Sequence, residues 1–196
     1  NEMTGFIRSL FESAFKTNSS LEFAVITGCL RISKESIFTG LNNLKVISIL
    51  DEKYAEYFGF TPDEVQRLCD YYGLSHKYDT IQEWYNGYIF GSINVYNPWS
   101  VIQFVDDLRE NEDWYPRSYW ANTSSNTIVR NLIDMADDSV KSELERLIDG
   151  GTVEKPVHED ITYGEVYENM DNLWNFMFFT GYFRKVDERM GEDDTR

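Results

Sequence analysis

The chain is 196 residues long and 42% hydrophobic, with 13 Phe, 13 Tyr and 5 Trp, ample material for a packed core, so a disordered chain is excluded. No apolar run approaches the roughly 20 residues a membrane helix needs. The formal net charge is −16, from 34 acidic against 18 basic side chains, and a body this acidic repels phosphate backbones, which argues against direct nucleic-acid binding.

The charge is uneven. Residues 1–50 hold five basic side chains (Arg8, Lys16, Arg31, Lys34, Lys45) and four acidic ones, so the remainder carries the whole excess of negative charge. Any contact with a polyphosphate is expected in that first quarter. Cys29 and Cys69 stand in apolar contexts without CxxC spacing and read as buried thiols of a cytoplasmic protein. The chain opens at Asn1 inside a helical pattern and stops in the polar run 191–196, without signal-peptide patterning, so a piece of a longer protein is expected.

In chain order, Met3, Phe6, Ile7, Leu10, Phe11, Ala14 and Phe15 recur at helical spacing and predict an amphipathic helix to about Lys16. Phe23–Thr27 is short, nearly all apolar and closed by Gly28, a pattern suited to a strand buried on both faces of a parallel sheet. Residues 30–43 mix Ser, Thr, Gly and Asn and read as a loop. Thr61-Pro62-Asp63-Glu64 is a helix start, with an N-cap, a proline at the first position and a glutamate three residues after the cap. That helix is expected to bury Val65, Leu68, Cys69 and Tyr72 and to stop at Gly73. A helical turn at Ile81–Tyr85 precedes a glycine-containing hairpin over 86–94. Asn97-Pro98 opens a helix to about Leu108, and further helices are predicted over 125–136 and 139–148, the last stopped by Gly150-Gly151. Leu173–Phe179 is apolar nearly all round and predicts burial. Thr180–Val186 reads as a strand, paired with Thr152–Val157.

The common catalytic patterns are absent. There is no GxxxxGK[ST], no GxGxxG and no HExxH, and the two histidines, His76 and His158, are far apart. No metal-ligand set is expected within the chain. The acidic pairs Asp106-Asp107, Asp137-Asp138 and Glu159-Asp160 read as solvated faces or loops.

Five runs nevertheless stand in a recognisable order: Ile26–Leu44 (ITGCLRISKESIFTGLNNL), Trp84-Tyr-Asn-Gly-Tyr88, Val95-Tyr-Asn-Pro-Trp-Ser100, Trp120-Ala-Asn-Thr-Ser-Ser125 and Phe178-Phe-Thr-Gly-Tyr182. Together they resemble the bacterial AAA-ATPase-like family, whose members begin with a P-loop and often end in a PD-(D/E)-x-K nuclease-like domain. The chain resembles the middle portion, without the P-loop. The resemblance implies a mainly α fold in four parts: a truncated α/β P-loop ATPase core remnant (1–50), a helical lid (51–122), a small winged-helix-like end (123–190) and a polar tail (191–196). It implies that Thr27 senses the γ-phosphate or attacking water and that Arg31 balances phosphate charge. Against this stands the reading that Thr27 caps a strand and Arg31 pairs with a carboxylate. Tyr96, Asn97 and Pro98 resemble the element leading a lid helix over the nucleotide, although an ordinary N-cap and N1 proline account for them equally. ATP and Mg²⁺ are then expected in the full-length protein and neither for this piece alone. The expected partners are nucleotide in the longer protein and a second copy at the truncated sheet edge, with no membrane. The alternative is a non-catalytic acidic helical module that docks a basic partner.

Overall fold

The computed structural model describes residues 2–16, 18–28, 41, 44–120, 127–159, 165–167 and 169–189. Among these the chain is mainly helical. In order come α1 (Glu2–Phe15), α2 (Pro62–Tyr71), α3 (Tyr78–Tyr85), β1 (Asn86–Phe90), β2 (Ile93–Tyr96), α4 (Pro98–Glu110), α5 (Thr127–Met135), α6 (Asp138–Ile148) and α7 (Met170–Phe179). No helix among the described residues is long and apolar enough to cross a membrane. The chain divides into two compact units, Ile49–Thr127 and Asn1–Ser48 with Ile128–Arg196.

The unit Ile49–Thr127 is built on α2, α3, the hairpin and α4. Thr61 caps α2 in a full capping box: its Oγ1 accepts from the Glu64 N–H (3.4 Å), and the Glu64 carboxylate accepts from the Thr61 N–H at 2.9 Å. Two orphan helix-end groups are thereby satisfied at once. Gly73, at φ +72°, ends the helix in the left-handed region, and the Leu74 N–H then donates back to the Cys69 carbonyl at 2.8 Å. Strands β1 and β2 pair antiparallel, Tyr88 opposite Val95 and Phe90 opposite Ile93, with an irregularity between Asn86 and Tyr88. Val65, Cys69, Ile81, Tyr85, Tyr96, Val101, Phe104 and Leu108 close over one another as the core. Burial also pushes the Cys69 thiol up, so this cysteine is an inert packing group.

The other unit packs α5, α6 and α7 around Leu132, Val140, Leu173, Trp174 and Phe176. Asp137 caps α6 through the Val140 N–H (2.9 Å), and Asn169 caps α7 through the Asn172 N–H (2.8 Å). Buried Asn175 ties residues 156–158 to α7: its Oδ1 accepts from the His158 N–H at 2.7 Å, and its Nδ2 donates to the carbonyls of Pro156 (3.1 Å) and Asp171 (2.9 Å). A buried amide is tolerated here because both of its ends are bonded.

Four expectations are corrected. Phe23–Thr27 forms no strand; no described segment pairs with it, and without ladder partners an all-apolar run cannot be buried on two faces. It lies exposed instead, Phe23 at 80% and Val25 at 72%. Thr180–Val186 and Thr152–Val157 form no strand pair. The turn at Gly181 (φ +86°) sends the chain back over α7, where Phe183 packs against Trp174, and beyond that segment Arg189 pairs with Glu154 through side chains. Tyr72 lies at the surface under the Arg109 guanidinium, 4.9 Å from its ring centre, because α2 has already ended at Tyr71. Asp107 is no simple solvated acid, since it accepts from Tyr119 and Arg117. Helix α1 forms over the expected span, yet none of its residues is buried.

Candidate functional site

The start of α4 is the best-defined of the regions singled out in the sequence. Strand β2 runs into the helix through Tyr96-Asn97-Pro98. Tyr96 is fully buried, its N–H and carbonyl both bonded to Phe60 (2.8 and 3.1 Å). Its hydroxyl lies 3.4 Å from that of Tyr78, and burial, followed by that neighbouring phenol, pushes its pKa up, so it stays a neutral phenol. Asn97 donates its N–H to the Tyr85 carbonyl (3.4 Å), and its Oδ1 accepts from the Ser100 N–H (3.0 Å). Pro98 occupies the first helical position, where a missing N–H costs nothing. With Pro98 lacking a donor and Ser100 capped by Asn97, the first turn is left to offer the Trp99 N–H. One amide with the dipole behind it suits the edge of a base better than a polyphosphate, which needs several donors.

The other end of α4 is held by a polar brace. Asp107 Oδ2 accepts from the Tyr119 hydroxyl at 2.6 Å and from Arg117 Nη2 at 2.7 Å. Tyr85 receives the Arg117 N–H and donates to the Arg117 carbonyl, both at 3.1 Å. Burial raises the Asp107 carboxyl, but the Tyr119 and Arg117 donors outweigh it and hold the group below the usual carboxylate range. Burial, reinforced by the Asp107 carboxylate, pushes Tyr119 up. The sequence did carry a signal for this brace. Asp107 is three residues after Phe104 and beside Leu108, at the edge of the core-facing stripe, whereas its neighbour Asp106 is exposed.

Thr27 is exposed in the other unit, and Arg31 lies outside the described residues, as do Cys29 and most of the 30–43 run. Tyr96, Asn97 and Pro98 follow one another at the β2–α4 junction, and Thr27 belongs to the unit that includes Asn1–Ser48. Among the described residues no group of three or more His, Cys, Asp or Glu side chains is placed to hold a metal ion.

No family model matches the chain, and no solved structure matches it. A protein of Azotobacter chroococcum mcd 1, described as an uncharacterized protein in the vnfD 5′ region, is 31% identical over 134 residues, which is 67% of this chain and 24% of that protein. The matched stretch thus spans about a quarter of that relative's length.

Proposed function

We propose that the chain supplies the sensor and lid elements of an ATP-binding switch in a longer AAA-ATPase-like protein and is not itself catalytically complete. In this reading residues 1–50 are the end of the α/β core, 51–122 the lid and 123–190 a winged-helix-like end. The observation that carries it is the ordered set of five sequence runs, one of which forms the capped start of α4.

A nucleotide fits the residues present only in part. Asn97 spends its side chain on its own cap and Tyr96 faces the core, so the α4 start contributes a backbone edge, with Tyr96 as its buried root. Thr27 offers an exposed hydroxyl, and Arg31 would bring positive charge to the phosphates. Mg²⁺ and a phosphate loop, which supply most of the charge neutralisation in phosphoryl transfer, would come from sequence beyond this chain. The test is calorimetry of ATP with the isolated chain and with the whole protein. Tight binding is expected only in the whole protein, and micromolar affinity in the isolated chain would show that the nucleotide site is misplaced.

A further inference from the structure

We propose that the turn Tyr54–Phe58 is a preformed docking surface for a basic protein segment, one that carries Arg or Lys beside apolar residues. This goes beyond the nucleotide reading and does not depend on it. The turn exposes three neighbouring aromatic side chains, Tyr54 at 48%, Tyr57 at 71% and Phe58 at 63%, while Ala55 between them is buried as its foot.

Both flanks are fixed. Before the turn, the Gly91 N–H donates to the Ile49 carbonyl (2.8 Å) and Ser92 Oγ to Glu52 Oε2 (2.9 Å). Glu52 lies so close to Gly91 that a Cβ there would stand 2.9 Å from the Glu52 Cα. After the turn, Gly59 is pressed against the Val95 side chain, and Phe60 pairs with Tyr96 through two backbone hydrogen bonds. Tyr54 itself sits at φ 68°, ψ 10°, a left-handed conformation that is unfavourable for a non-glycine residue. A tyrosine is held there only because both flanks are fixed. Exposed aromatics on a rigid support lose little freedom on binding, which is why such residues dominate interface energetics.

The surroundings select the partner's charge. Lys53 Nζ already lies 4.9 Å from the Tyr54 ring centre, so this ring accepts a cation in the structure itself. Glu56, between Tyr54 and Tyr57 in the sequence, is exposed, and the unit Ile49–Thr127 carries thirteen acidic side chains against five basic ones. A chain of net charge −16 opposes both a second copy of itself and an anionic lipid surface, whereas a cationic segment gains from the rings and the carboxylates together.

The test is calorimetric titration of the whole 196-residue chain with a synthetic dodecapeptide of alternating Arg and Leu. An alternating Glu–Leu peptide, cellohexaose and phosphatidylserine vesicles serve as the other arms. The Arg–Leu peptide alone should bind saturably. Its affinity should fall at least about tenfold in Tyr57→Ser and in Glu56→Lys, and stay unchanged in Asp134→Lys, a matched charge reversal at an exposed position of α5. No binding of the Arg–Leu peptide, equal binding by Tyr57→Ser, or binding of the acidic peptide, the sugar or the vesicles in its place would overturn the proposal.

Discussion

Single residues in the Ile49–Thr127 unit carry effects that can be signed in advance. Glu64 is held below the usual carboxylate range by the Thr61 N–H first and the Thr61 hydroxyl second. Its folded value lies below its unfolded one, so the capping box adds stability above the unfolded value, and that stability is lost as pH falls through the folded one. Thr61→Ala should cost about 1 kcal/mol in urea unfolding at neutral pH, and Glu64→Gln, which removes the titrating group, should flatten the acid limb of the stability profile. An unchanged acid limb would mean that the box contributes no linkage. Gly59→Ala should be far worse, about 2–4 kcal/mol, because the new Cβ meets the Val95 side chain and lies 2.8 Å from the Tyr96 carbonyl oxygen, a backbone atom that cannot give way alone. Tyr119→Phe removes one of the donors that Asp107 uses, and a loss of about 1 kcal/mol is expected in the same assay.

Among elements, what local chemistry decides was legible and what distant partners decide was not. The start of α2 was written in Thr61, Pro62 and Glu64, its stop in Gly73, and the start of α4 in Asn97 and Pro98, because caps and φ preferences act within four residues. The same holds for Gly150, whose φ of +84° ends α6 where the sequence placed the stop. Phe23–Thr27 was misjudged for the opposite reason: an apolar run says that a residue prefers burial, but a strand also requires a neighbour. Residues 180–186 carried strand-like composition, yet Gly181 and the Trp174–Phe183 contact fixed their path. Of the candidate site, the α4 cap was readable, and so was the place of Asp107 at the edge of the core-facing stripe, whereas its partners, ten and twelve positions away, were not. Helix α1 gives a direct contrast with the interior. Phe6→Ser should change stability by less than about 0.5 kcal/mol, while Leu132→Ala, at a fully buried position in the same unit, should cost about 2–5 kcal/mol. A large loss for Phe6→Ser, seen in chemical unfolding, would show that α1 is covered in solution.

At the scale of the whole molecule, an acidic, mainly helical chain exposes apolar surface on α1 and on Phe23–Val25 and aromatic surface at Tyr54–Phe58. The first two belong with the proposal that this chain is completed by further sequence. The third belongs with the proposal of a basic partner. The proposed switch is tested most directly by steady-state ATP turnover of the whole protein with and without Arg31→Ala, nucleotide binding being measured in parallel. Removing an arginine that stabilises the transition state should lower turnover on the order of 10³-fold and leave nucleotide binding largely intact. Normal turnover by the Arg31→Ala protein would contradict the account and leave Arg31 as a structural ion-pair residue.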